Sequence, residues 1–346
     1  MTASAVSFRP LSDATFGVLA EVGGGQPETA ADRFVAAGET VLNRFYDAGG
    51  LMVVRGLDGM ANEPDQLVRV SALFGDEVEN YRFTLTDPRY FHDMVPEVMV
   101  LSNLAPCNHP PPRRFPAEKN GRLAVRFPAR TNWHTDQSYR RPPPDVSLLF
   151  GVMTPPSDQG QTLYADCHAA YDALDGETKA LIGDLNGLHV ASWVGRTPDD
   201  VRAGVRPRPL LAHQRPQRQP MVRRHPVTGR PALYLCEEKQ MDYVDGPVEG
   251  LESGPDGEGA ILIRRLLAHA TQPAFTYVHE WQEGDLVIAD NRSLLHAASW
   301  YDADQHDRIM WRTTVMGSPG AEYAGETKSW IPADAETPIL QGMEDH

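Results

Sequence analysis

Hydrophobic and polar positions alternate along the chain in two distinct styles. Over residues 31–48 (ADRFVAAGETVLNRFYDA) apolar side chains recur at three- and four-residue spacing, which predicts a helix. Gly49-Gly50 stops it before the short apolar run LMVVRGL, which reads as a strand. Residues 65–74 (DQLVRVSALF) predict a second helix with Gly75 at its end. From Val98 onward the pattern changes to short β-rich runs separated by Pro, Gly and Asn: VMVLSN, LAVRF, DVSLLFGVM, TLYAD, PALYL, FTYVHEW, DLVIAD and RIMWRTTVMG. Asn120-Gly121, between EK and RLAV, is a two-residue hairpin signal. Helical spacing interrupts the strands at 169–182 and 257–269. Many short strands with turns between them favour a mixed β fold with flanking helices, a jelly roll or barrel, over alternating βαβ units. With no internal repeat and no clean boundary, one domain over 1–346 is the simpler expectation. Its core would run from about 38 to 317, and 318–346, rich in Pro, Gly, Ala and Glu, would be a surface tail.

Composition narrows the function classes. No stretch reaches the roughly 18 apolar residues of a membrane span, and the N-terminus lacks a basic leader followed by an apolar run, so the cytoplasm is the expected compartment. Cys107, Cys167 and Cys236 are too few and too far apart for a disulfide framework or a thiolate zinc site, and free thiols are expected. Lys plus Arg is 32 against 47 acidic residues, a net charge of -15 that argues against general nucleic-acid affinity. Two stretches reverse this sign: 201–230 holds eight arginines and no acid, and 113–130 holds Arg113, Arg114, Lys119, Arg122, Arg126 and Arg130 against Glu118. Such blocks are either solvated loops or a field that steers an anionic small molecule to a cleft.

Of twelve histidines, only His134 has an acid two positions later, Asp136, and at this acid content roughly one or two such pairs arise by chance. Its setting, NWHTDQSY, is strand-like, and on a strand i and i+2 point to one side, so both side chains could ligate one metal. A polar edge strand facing solvent is the alternative. In 280–317 an apolar strand is followed by His296 and then by RIMWRTTV, whose alternation puts Arg308, Met310 and Arg312 on one face and Ile309 and Trp311 on the other. Inward arginines are costly unless each meets an anion; outward ones are merely solvated. Together His134, Asp136 and His296 would supply two imidazoles and a carboxylate, a set suited to oxygen-activating non-haem Fe(II). Arg308, twelve residues beyond the second histidine, offers a planar fork for a carboxylate.

At these residues the chain resembles the taurine dioxygenase family, the Fe(II)- and 2-oxoglutarate-dependent dioxygenases that include 2,4-dichlorophenoxyacetate dioxygenase. LMVVRGL, ALFGD, VMVLSN, NWHTDQSY, GQTLYADCHAAYDAL, RRHPVTGRPALYL, DNRSLLH and RIMWRTTV occur in the family's order. The resemblance implies a double-stranded β-helix (jelly roll, cupin-like) with flanking helices. It implies that His134, Asp136 and His296 hold iron, that Thr162 and Arg308 bind the distal carboxylate of 2-oxoglutarate, and that Arg312 lies where an anionic group of the substrate is met. Fe(II), 2-oxoglutarate and O2 would then oxidise, by default hydroxylate, a C–H bond with release of succinate and CO2. With Asp136 present halogenation is disfavoured, while desaturation, cyclisation or C–S or C–O cleavage would depend on substrate pose.

The segment FGDEVENYRF aligns with the part that supplies a substrate-contacting histidine in taurine enzymes, yet Asn80 and Tyr81 stand there, so taurine is not the expected substrate. Residues 104–130 are expected to lie over the iron as a lid, with Ser299, Trp300 and Tyr301 either at the same mouth or serving as packing residues. The partner is then a small anionic or zwitterionic substrate, with a homo-oligomer possible and neither nucleic acid nor membrane involved. A zinc hydrolase on the same three ligands leaves the arginine pair without a role. A degenerate jelly-roll binding protein would fail to bind iron.

Overall fold

A computed structural model describes residues 5–316 apart from 13, 25–28, 58, 85, 141, 192–196, 207–208, 210–213, 238–239 and 243–245. The chain begins with β1 (Val6–Pro10), β2 (Val18–Val22), α1 (Ala30–Ala36), α2 (Gly38–Asp47), β3 (Leu51–Arg55), α3 (Asp65–Ser71) and β4 (Glu77–Val78). It continues through β5 (Met99–Ser102), β6 (Val146–Met153), β7 (Thr162–Asp166), α4 (Cys167–Asp172) and α5 (Gly176–Ile182). A peripheral stretch follows: β8 (Asn186–His189), α6 (Pro198–Arg202), β9 (Gln217–Pro220), β10 (Val222–Arg224) and β11 (Pro231–Leu233). The last elements are α7 (Glu258–Ala270), β12 (Thr276–His279), β13 (Leu286–Asp290), β14 (Leu294–Ala298) and β15 (Ile309–Met316).

The larger sheet runs β1-β2-β3-β13-β6-β15-β4, with β5 also on β15; the smaller runs β12-β7-β14. Their facing surfaces, with helices outside, form the jelly roll. Side-chain alternation assigns the layers. In β13, Leu286 and Ile288 join the cluster beneath α1 to α3, whereas Val287 and Ala289 point between the sheets. In β15, Trp311 and Val315 go outward and Met310 inward. In β7, Leu163 and Ala165 pack under α7 while Tyr164 points in. The period-2 pattern thus gives three cores, and the middle one contains the inward positions of both sheets.

The structure corrects several local expectations. Residues 31–48 form two helices that meet at Ala37, and Gly38 has no Cβ where the Leu73 side chain packs, at 3.0 Å from the ideal Cβ position. Gly49-Gly50 does end the run: Gly50 has φ +82°, and a Cβ there would lie 2.7 Å from that of Asp290. Residues 169–182 also split, because Asp175 caps α5 through the backbone N–H of Thr178. LAVRF is not a strand. Its carbonyls at Ala124 and Val125 accept from Arg130 and Trp133 side chains, and the Phe127 N–H donates to Thr271, so no ladder is needed. Asn120-Gly121 makes its turn without flanking strands. β1 and β2 extend the large sheet ahead of the core expected from about residue 38. The expected tail, 318–346, lies outside the described residues.

Candidate active site

Between the sheets the inward side chains stop short of filling the space and leave a cavity of about 440 Å³. Alternation decides what faces it: Ser147 from β6, Thr162 from β7, Val287 from β13, His296 from β14 and Arg312 from β15 all sit at inward positions. His134 and Asp136 reach it from a connecting segment. That segment makes one bridge instead of a strand, with the His134 N–H donating to the His296 carbonyl at 3.0 Å and the reverse bond at 2.7 Å. Asn132 and Gln137, on either side, have φ of +67° and +48°, a left-handed conformation that lets the chain leave the bridge at both ends.

His134, Asp136 and His296 offer one ligand atom each within 4.8 Å of one another. Both Nε2 atoms lie 3.8–3.9 Å from Oδ1 of Asp136. The His134 Nδ1 is 2.7 Å from the Asn132 carbonyl, so it carries the proton and leaves the Nε2 lone pair toward the cavity. Burial pushes His296 down to about 3, helped by the neighbouring His134, so its imidazole is neutral at neutral pH. For Asp136 burial opposes ionisation, but Arg312, His296 and His134 outweigh it and hold the carboxyl well below the usual range. Two imidazoles and one carboxylate, converging on a partly open cavity, fit a divalent iron.

Sequence reasoning missed the residues that hold Asp136. Ser147 Oγ donates to Oδ2 at 2.6 Å, and Asn291 in turn donates to Ser147 at 2.9 Å. Thr135 donates to the Asn291 carbonyl at 2.7 Å. A lone serine at an inward position of the apolar run VSLLFGVM was the available signal. Behind Asn291, the turn is pinned by buried Arg292, which pairs with Asp290 at 2.6 Å and Asp145 at 3.3 Å.

Thr162 and Arg308 face the same cavity. Arg308 is half-buried, and burial pushes its pKa down. Its backbone N–H donates to Asn103, but among the described residues its guanidinium has no carboxylate partner and Nε makes no hydrogen bond. Its Cζ lies over the Tyr301 ring, 5.7 Å from the centroid.

Arg312 also lines the cavity, yet it is not free. Nη1 donates to Asp136 Oδ1 at 3.0 Å and Nη2 to the Met99 sulfur at 3.0 Å. Asn80 and Tyr81, expected at the substrate, are placed elsewhere. Asn80 donates to Glu97 at 2.8 Å and caps the following turn; Tyr81 is fully buried behind Arg312, its hydroxyl 2.8 Å from Thr314. Neither lines the cavity.

Within the basic block at 201–230, Arg202 pairs with Asp256, Arg218 with Glu249 and Arg230 with Asp172 on the surface, Arg223 is buried over the Tyr234 ring, and none of the block's described residues lines the cavity. Arg208 lies outside the described residues. Within 104–130, His109, Pro110 and Pro112 do cover the cavity. The arginines there do not line the cavity: Arg114 lies over Trp300 at 4.4 Å, Arg113 over Phe115, Arg126 donates to the Ala268 carbonyl, and buried Arg130 donates to the Ala124 and Ala298 carbonyls. Of the three residues 299–301, Ser299 and Tyr301 line the cavity and Trp300 does not.

Comparison with known proteins agrees with this geometry. The profile of the family described as taurine catabolism dioxygenase TauD, TfdA family matches residues 8–314. The alpha-ketoglutarate-dependent 2,4-dichlorophenoxyacetate dioxygenase of Burkholderia sp. (strain RASC) is 33% identical over 62% of this chain and 67% of its own length. The (S)-phenoxypropionate/alpha-ketoglutarate-dioxygenase of Sphingobium herbicidovorans is 31% identical over 68% of this chain and 78% of its own. Among solved structures, AAD-2 in complex with Mn(II) and N-oxalylglycine superposes with a TM-score of 0.60 at 29% identity, over 90% of this chain and 98% of that one. The fold alone is shared with a taurine dioxygenase from Burkholderia xenovorans, at TM-score 0.65 and 24% identity over 98% and 100% of the two chains. Among the described residues no helix is long and apolar enough to cross a membrane. The chain therefore belongs to the taurine catabolism dioxygenase TauD, TfdA family and is an Fe(II)- and 2-oxoglutarate-dependent dioxygenase acting on a small molecule.

Proposed function

We propose that His134, Asp136 and His296 are the iron ligands, that Thr162 and Arg308 take the distal carboxylate of 2-oxoglutarate, and that the substrate is a small organic anion or zwitterion oxidised, by default hydroxylated, at a C–H bond. The observation that carries the reading is Arg308, a half-buried cation with no anionic partner among the described residues, facing the same cavity as the three converging ligand atoms. An unpaired inward arginine is expensive unless a ligand supplies the charge. Iron held there supplies oxygen activation coupled to conversion of 2-oxoglutarate into succinate and CO2. The residues do the positioning: Asn132 fixes the His134 tautomer, Ser147 holds Oδ2 of Asp136 so that Oδ1 faces the histidines, and Leu101, Leu149, Val287 and Ala298 exclude water.

Those apolar walls, with Arg312 among them, suit an apolar body bearing an anionic head. Aryloxy carboxylates have that shape, and two relatives are named for such acids. We read 1–346 as one catalytic domain working in the cytoplasm. The test has two arms. His134→Ala, Asp136→Ala and His296→Ala should each abolish Mn(II) binding and iron-dependent turnover, and normal metal affinity in any of them removes that residue from the ligand set. A screen of aryloxy acids, sulfonates, sulfate esters and amino acids for coupled succinate formation should find its substrates among the anions and zwitterions; a neutral true substrate would overturn the substrate assignment.

A further inference from the structure

Thr162 is held from behind by a group outside the cavity. Trp281, 2% exposed, donates its indole N–H to Thr162 Oγ1 at 3.0 Å. The indole has little freedom. Gly151 leaves room for it, since a Cβ there would lie 3.3 Å from the ring. On another side His279 stands edge-on to it, centroids 4.5 Å apart and planes at 90°. His279 is itself held: its Nδ1 lies 3.2 Å from the Tyr277 hydroxyl, its Nε2 stands 3.2 Å from Asp285 Oδ2 without hydrogen-bond geometry, and Asp285 takes two bonds from Arg55, at 2.9 and 3.3 Å. His279 is also the register partner of Thr162 between β12 and β7.

A hydroxyl has one hydrogen to donate and two lone pairs. In Thr162 the indole occupies one lone pair, and among the described residues the hydrogen has no acceptor. An accepted hydrogen bond polarises the O–H and makes it a better donor. Trp281 cannot accept that hydrogen, because an indole N–H only donates. Thr162 is thereby left with its hydrogen for the cavity, which Arg308 also faces.

We infer that Trp281 is a positioning residue for 2-oxoglutarate: its indole N–H commits Thr162 to act as a donor to the distal carboxylate, and the Arg55–Asp285–His279 clamp holds the indole in place. The inference rests on the assignment of Thr162 and Arg308 to that carboxylate. Trp281→Phe keeps most of the ring and removes the N–H. Loss of one neutral hydrogen bond should weaken 2-oxoglutarate binding about two- to tenfold.

The experiment is a double-mutant cycle in which Mn(II)-loaded enzyme is titrated calorimetrically with 2-oxoglutarate, so that no turnover is needed. Thr162→Val alone should weaken binding roughly 10-fold or more, as expected for a bond to a charged acceptor. Trp281→Phe should weaken it in the parent and add nothing in the Thr162→Val background. If Thr162→Val weakens binding but Trp281→Phe does not, or if Trp281→Phe acts equally in both backgrounds, the positioning role is wrong while the carboxylate assignment stands. If Thr162→Val leaves affinity unchanged, the assignment itself fails. Should Trp281→Phe not fold, the Zn(II)-loaded parent enzyme supplies a second reading. Its Trp281 indole N–H resonance, recognised as the one moved by Thr162→Val, should shift on addition of 2-oxoglutarate, and a resonance that stays put overturns the inference.

Discussion

Replacing Arg308 by methionine separates a ligand-binding arginine from a structural one. The change keeps much of the aliphatic stem and removes the guanidinium. Because no described carboxylate pairs with that group and Nε makes no hydrogen bond, the unliganded protein loses no ion pair and is relieved of a desolvated cation. Its stability without ligand should therefore be unchanged or higher. With ligand the outcome reverses. A charge-assisted bidentate contact contributes about 1.5 to 3 kcal/mol, so affinity for 2-oxoglutarate should fall roughly 10- to 150-fold. At a 2-oxoglutarate concentration 100 times the parent Kd, linkage stabilises the parent by about 2.7 kcal/mol, and the variant by only about 0.3 to 1.4 kcal/mol. Urea unfolding of the Mn(II)-loaded proteins, with and without 2-oxoglutarate, reads both effects together. Undiminished stabilisation by 2-oxoglutarate would refute the assignment. So would a loss of several kcal/mol without ligand, since that would mean Arg308 has an internal anionic partner.

Three other perturbations follow from the same contacts. Ser147→Ala takes away the donor to Asp136 Oδ2 and should weaken Mn(II) binding about tenfold, as outer hydrogen-bond partners of metal ligands generally do; unaltered binding would leave Ser147 as packing only. Arg312→Gln removes both the charge facing the substrate and the 3.0 Å bond to Asp136, so succinate formation should depend less on substrate and Mn(II) binding should loosen; an unchanged substrate requirement would take Arg312 out of substrate binding. Asp290→Asn breaks a buried pair with Arg292 and should lower stability by about 3 to 5 kcal/mol at neutral pH. Burial opposes ionisation of Asp290, but Arg292 and His225 outweigh it and depress its pKa, so its contribution is complete above the ordinary carboxylate value and is lost as pH falls through the depressed one. The urea midpoint of the parent should consequently drop more steeply with acid than that of Asp290→Asn, and parallel curves would contradict this.

What the sequence determined by itself is the alternation and the chemistry it carries. Strand periodicity depends only on each residue's neighbours, so it was enough to place Arg308, Met310 and Arg312 on one face and Ile309 and Trp311 on the other, as the cores now show. His134, Asp136 and His296 were legible as a candidate ligand set from their residue types, and the tertiary structure brings one ligand atom of each within 4.8 Å of the others. Pairing across the fold is not local. Arg312 meets Asp136 across 176 residues, and Trp281 meets Thr162 across 119, contacts fixed by strand register and by how the two sheets face each other. Tertiary packing also decided that Tyr81 lies outside the cavity with its hydroxyl on Thr314, and that Arg202, Arg218 and Arg230 find acids on remote segments. Even the segment that carries His134 and Asp136 is not the strand its composition describes. It is one bridge between two left-handed residues, stabilised by hydrogen bonds to a strand more than 150 positions away, which only the closed jelly roll brings alongside it.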